Sequence, residues 1–253
     1  MHRVPSLISV IATLCGIAQA GTATAETAAS WQTSGNLALV SDYLFRGLSQ
    51  TGQEPALQGG IEFAHSSGFY TGAWGSNVSW LSDLSTDAAP ISNSLEVDLY
   101  AGWRGQLSDA LKLDVAAYTY AYPGDYPQGF TRPHTTEFVA GLTYSLLQLK
   151  YSHTLGNAFG YADSHGSGYL ELNLNWEFVP GWLLSGHLGH QRIAGFDEAS
   201  YSDERLGVTH NFASHYSIAL TWSDTNADRS IYTNPQGEFL ARSTGVLSLT
   251  RTF

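Results

Sequence analysis

From Leu95 to Trp103 every odd-numbered residue is apolar, while the even-numbered residues from Glu96 to Arg104 include three charges. A two-residue period gives an extended chain one apolar and one polar face, and a helix has no use for it. Leu170 to Phe178 repeats the device, with Leu170, Leu172, Leu174, Trp176 and Phe178 on one face and Glu171, Asn173, Asn175 and Glu177 on the other. The same pattern marks strands over Asn36–Arg46, Ala56–His65, Phe69–Val78, Leu111–Tyr122, Thr135–Tyr144, Leu147–Leu155, Trp182–Gln191, Arg205–Phe212, His215–Asp224 and Thr244–Phe253. The total is about twelve, the even number that a closed antiparallel barrel requires. In Phe69–Val78 aromatic residues occupy both parities, which leaves a bulge or a reversed register open. No long helix is credible.

The connections alternate in length. Gly47–Pro55 is medium, and long segments follow the later upward strands: Ser79–Asn93, Pro123–His134, Gly156–Gly166, Arg192–Glu204 and Thr225–Ser243. Between them come short ones: Ser66–Gly68, Gly105–Ala110, Ser145-Leu146, Val179–Gly181 and Ala213-Ser214. Short turns therefore gather at one end and long loops at the other, the rhythm of an up-and-down barrel with periplasmic turns and extracellular loops. Extra pairing within Gly47–Pro55, or a separate hairpin over Ile231–Leu240, would change the strand count by two. No domain boundary interrupts the rhythm.

The start of the chain reads as an address. Met1-His2-Arg3 is a short basic region, Leu7–Ile17 is apolar, and Ala18-Gln19-Ala20 or Ala23-Thr24-Ala25 offers a cleavage site, so residues 1–25 form a secretory signal peptide. Residues 26–35 would be a short periplasmic segment and 36–253 the barrel. The single cysteine, Cys15, falls inside the signal, which leaves the mature chain without a disulfide or a thiol nucleophile. Removing Arg3 takes the net charge from -11 to -12. With nothing basic clustered, nucleic acid is excluded as a partner.

If the apolar parity faces lipid, the outward aromatics nearest the short turns are Phe63, Phe69, Trp103, Tyr144, Trp176, Phe178, Trp182, Phe212, Tyr216 and the terminal Phe253. Together they would form an aromatic girdle at one membrane interface. The other parity carries Arg46, Glu62, Glu96, Asp98, Arg104, Lys112, Asp114, Glu137, Lys150, Glu171, Glu177 and Arg205, seven acids against five bases. Charges are costly in hydrocarbon and tolerable in a hydrated or mutually paired lumen. About twelve strands, ~4.8 Å apart and tilted by roughly 40°, give a backbone radius on the order of 12 Å, so the passage would be narrow.

The stretch SDYLFRGLSQT, followed by PALQGGIEFAHSSGFYTGAWGSNV, carries Tyr43, Arg46, Gly47, Ser49, Gln50, Gly68, Tyr70, Gly72, Trp74 and Ser76 in order. Over Val40–Val78 it resembles the opening of the TorF-type porins, an uncharacterised proteobacterial family. The resemblance implies an outer-membrane barrel and a channel function, without a substrate. A terminal Phe closing an alternating strand also resembles the signal read by the barrel-insertion machinery, although Arg251 stands where that signal usually has an apolar residue.

Three functional readings follow. The first is a diffusion channel for small ions or polar solutes, with a weak preference for cations from the inward acid excess. The second is a non-conducting structural or loop-presenting barrel, its lumen filled by salt bridges. The third is a lipid-modifying enzyme, which needs a Ser–His pair. His153 and His190 are outward near the long loops, but Ser152 and Ser167 are inward, so no catalytic residue is expected. Loop acids (Asp83 and Asp87; Asp197, Glu198, Asp203 and Glu204; Asp224 and Asp228) lack calcium-loop spacing and read as solvated charge. Neither cofactor nor metal is expected. The partners expected are outer-membrane lipid and lipopolysaccharide, the insertion machinery, and small solutes.

Overall fold

The computed structural model describes residues 30–212 and 215–253. The signal peptide expected over residues 1–25 and the turn expected at Ala213-Ser214 lie outside the described residues. Twelve antiparallel strands form one closed barrel. They are β1 (Trp31–Val40), β4 (Ala56–His65), β5 (Phe69–Asn77), β6 (Leu95–Gln106), β7 (Leu111–Ala121), β8 (Thr135–Tyr144), β9 (Leu147–Thr154), β10 (Gly168–Val179), β11 (Trp182–Arg192), β12 (Tyr201–Phe212), β13 (Tyr216–Thr225) and β14 (Thr244–Thr252). Two two-residue strands, β2 (Leu44–Phe45) and β3 (Leu48–Ser49), pair with each other and stay outside the barrel wall.

Each strand pairs with its neighbour in sequence, and β1 closes the cylinder against β14 from Asn36↔Thr252 to Val40↔Ser248. Closure leaves no strand edge with unpaired amides. The expected strand count and rhythm are those observed. Two strands have ends that differ by more than two residues. The first strand runs over residues 31–40 rather than 36–46: Trp31 pairs with His65 at one end, and the chain leaves the wall after Val40. The strand expected from Arg205 starts at Tyr201, so Asp203 and Glu204 belong to β12 and not to a loop. No register shift interrupts the pairing of Phe69–Asn77, so Tyr70 and Trp74 share the inward parity; the wall's irregularity falls between Glu177 and Val179 in β10.

The faces follow the alternation. On the strands, the large apolar side chains left exposed lie on the outward parity, with Leu170, Leu172 and Trp176 on β10 as one example. Buried side chains fill the interior of the long-loop half, where Tyr120, Tyr122, Leu81 and Ile91 pack with Phe45, Trp80 and Phe159. The loops after β5, β7 and β9 thus fold over and into the barrel mouth.

Candidate functional site

After Val40 the chain turns inward as a hairpin, residues 41–55, and crosses the lumen. Arg46 (φ 50°) and Gly47 (φ 79°) form its tip, two successive left-handed residues as in the tightest β-hairpins. A side chain at 47 would run into Thr225 and Asp203 on the barrel wall. Asp42 ties the base together, accepting from Ser49 Oγ at 2.7 Å and Thr51 Oγ1 at 3.3 Å. Ser49 N donates to Leu240 O at 2.8 Å, and Tyr43 packs edge-on against Trp74.

The tip is clamped to the far wall. Arg46 Nη1 and Nη2 donate to Glu137 Oε1 and Oε2 at 3.1 and 2.6 Å, and Nη1 also donates to Gln191 Oε1 at 2.6 Å. Tyr120 Oη donates to the same carboxylate at 3.2 Å. The guanidinium lies 4.3 Å from the Tyr169 ring centre and 4.8 Å from that of Phe45. Both partners are buried, and a planar fork held by two carboxylate oxygens is the strongest ion-pair geometry available to a side chain. Arg46 was expected as the inward end of a barrel strand; it is instead the tip of the inner hairpin.

Four of the other charges expected inside form two further ion pairs. Glu62 bridges to Arg104 at 2.7 Å, with Arg104 stacked 3.7 Å from the Tyr70 ring centre and Tyr70 Oη donating to Asp114 at 2.6 Å. Lys150 bridges to Glu171 at 2.6 Å. Arg205 lines the same open lumen as Lys150. Glu96 and Asp98 are fully buried under the loops, where Tyr122 Oη donates to Glu96 at 3.1 Å. Lys112 is exposed at the short-turn end, and Glu177 accepts from the Gly181 amide at 2.7 Å in a short turn, so neither lines a constriction.

A network centred on Asp203, which was expected in a loop, joins it to Tyr169 Oη at 2.7 Å and to His187 Nε2 at 2.9 Å, with His187 Nδ1 bonded to Asn173 at 2.7 Å; His187 and Asn173 have the inward parity that alternation gives them. Running the β12 alternation back from Arg205 through Asp203 to Tyr201 would have found it. Among the described residues no group of three or more His, Cys, Asp and Glu could hold a metal ion.

All ten aromatics expected in a girdle lie on the outward side near the short turns; Trp103 is half-buried, its ring against Gly68 and Gly105 and its Nε1 donating to Ser67 O at 2.9 Å. Trp31 and His210 join them: Trp31 contacts His65 with ring centres 5.0 Å apart, and His210 stacks on Trp182 at 4.3 Å. Arg251 is sandwiched between Tyr216 and Phe253, 5.5 and 4.8 Å from their ring centres. On the opposite rim His190 Nδ1 meets Ser202 Oγ, its cross-strand partner on β12, at 3.0 Å; Ser202 is not one of the serines expected near a histidine.

A sequence profile described as a bacterial protein of unknown function, Gcw_chp, matches residues 24–253. The chain belongs to the Gcw_chp family. No curated protein matches it in sequence. Among solved structures it is similar to the KdgM porin in complex with disordered oligogalacturonate, at 5% identity and a TM-score of 0.53, over 87% of this chain and 98% of that one. A second KdgM porin structure aligns at 6% identity and 0.51 over the same shares. An outer membrane channel from Pseudomonas putida F1 aligns at 14% identity and 0.49, over 93% of this chain and 100% of that one. At such identities the likeness is one of fold: this Gcw_chp chain has the barrel architecture of outer-membrane porins.

Proposed function

We propose that this protein is an outer-membrane channel for small ions and polar solutes, constricted by its inner hairpin. The observation that carries the reading is the Arg46–Glu137–Gln191 clamp, which pins residues 41–55 across the lumen of a closed barrel with an apolar outside. A merely structural barrel has no need for a segment that leaves the wall after one strand and returns for the next. The KdgM neighbours are porins, and the opening motif that resembles the TorF-type porins, SDYLFRGLSQT, is the inner hairpin itself. In this reading the outward aromatics anchor the barrel among outer-membrane lipid and lipopolysaccharide, and the last strand is what the insertion machinery recognises. The signal peptide directs export, and the acid excess of the expected set that remains without Lys112 and Glu177, six acids against four bases, lies mostly above the charge-balanced cavity and favours cations there.

Planar-bilayer recording on the refolded protein tests this. The expected result is a small, potassium-selective current that grows when Arg46→Ala releases the hairpin tip. No current from either protein would overturn the channel reading, and equal potassium and chloride currents would remove the cation preference. The second reading, a non-conducting barrel, is favoured by the packing of Tyr122, Leu81, Glu96 and Glu137, all almost completely buried in the long-loop half. It predicts silence in both recordings.

A further inference from the structure

Between the inner hairpin and the short-turn end the lumen holds a cavity of about 190 Å³, reaching from Ser34 and Asn36 on β1 to the hairpin. Its lining charges balance, with Asp42, Glu62 and Glu171 against Arg46, Lys150 and Arg205. Most are already committed: Lys150 to Glu171 at 2.6 Å, Glu62 to Arg104 at 2.7 Å, and Arg46 to Glu137. A carboxylate, phosphate or ammonium solute would have to displace a pair that the wall has already made.

What the wall does offer divides into two arcs. Strands β5 to β7 present ring surface, Trp74 and Tyr100 being half-buried and Tyr118 stacked 5.0 Å from Tyr100. Gly72 makes room for this, because a Cβ there would overlap the Tyr100 ring. From β13 round through β14 and β1 to β4 the lining includes the uncharged hydrogen-bonding side chains Thr221, Ser248, Thr250, Asn36 and Gln58, beside Ala38, Val40 and Val246 and a single charge, Glu62, that Arg104 already holds. A sugar ring has the same division. Its C–H face is apolar and packs on an aromatic ring, while its hydroxyl rim needs amides and hydroxyls that both donate and accept.

We propose that this cavity is a binding site for one ring of an uncharged saccharide, with Trp74 and Tyr100 against its C–H face and Gln58 among the groups that meet its hydroxyls. The assignment rests on the channel reading and names the solute class of that same lumen. The cavity volume suits one ring rather than a chain, and the balanced lining disfavours an acidic sugar.

The test is a saturation-transfer NMR titration of the full refolded barrel in detergent micelles, with glucose and glucuronate as probes. Glucose is expected to bind saturably and glucuronate at least tenfold more weakly. Trp74→Leu should weaken glucose roughly tenfold, the scale of one aromatic stacking contact. Should that variant fail to fold, as judged by circular dichroism, Gln58→Leu should still weaken glucose several-fold. Absence of saturable glucose binding, equal affinity for glucuronate, or unchanged affinity in the folded variants would each overturn the assignment. Ionic current through the same preparation, with the Arg46 clamp intact or cut, separates the two readings. Current without glucose binding removes only the saccharide, whereas glucose binding without current removes only the channel.

Discussion

The Arg46 guanidinium holds two acceptors on different strands, Glu137 of β8 and Gln191 of β11, and lies between the Phe45 and Tyr169 rings. A lysine keeps the charge but has neither the fork nor the flat face. Arg46→Lys should therefore open the channel nearly as often as Arg46→Ala, and single-channel open probability reads the difference. Gly47 at φ 79° sits in a region where any other side chain is strained, and its Cβ would collide with Thr225 and Asp203. Gly47→Val should loosen the hairpin too, seen as faster amide exchange at Gln50, whose N–H donates to Tyr43 O at 2.7 Å. At this scale the sequence was half legible. Parity put Arg46 and Glu137 inside, but 91 residues separate them, and an alternating pattern says which face a residue takes without saying whom it meets there.

Along single elements the same limit shows at the boundaries. Trp31–Gly35 carries no clean alternation, so the pattern alone starts the first strand too late; pairing with Phe63, Ala64 and His65 of β4 supplies what local sequence does not. Leu188 stands on the outward row of β11, 58% exposed. If that row meets acyl chains near mid-membrane, Leu188→Arg should cost about 2–4 kcal/mol, measurable by reversible unfolding in lipid vesicles. In the loop between β7 and β8, the Tyr122 amide donates to His134 Nδ1 at 3.0 Å, which requires a neutral ring at that nitrogen. Burial, and next to it the Arg132 charge, holds the His134 pKa below its ordinary 6.5. Unfolded chain then takes up the proton first as pH falls, so this contribution is complete above pH 6.5 and is lost on descending through the lowered folded value. Hydrogen exchange at Tyr122, compared at pH 7.5 and in mild acid, should show weaker protection in acid.

At the scale of the whole molecule, closure joins residues from both ends of the described chain: Gly35 and Phe253 exchange N–H···O bonds at 2.9 and 3.4 Å. A barrel with its leucines and aromatics outward should stay monodisperse only in detergent or lipid, and analytical ultracentrifugation with and without detergent checks this. Strand number, the two faces and the sorting of short turns from long loops were all present in the amino-acid order. They depend on the side-chain period and on turn lengths, which are local quantities. The inward hairpin, the partners of Arg46 and of Asp203, and the cavity beneath the clamp belong to the tertiary structure alone. Each joins segments far apart in sequence across a common lumen, and their geometry exists only once the cylinder has closed.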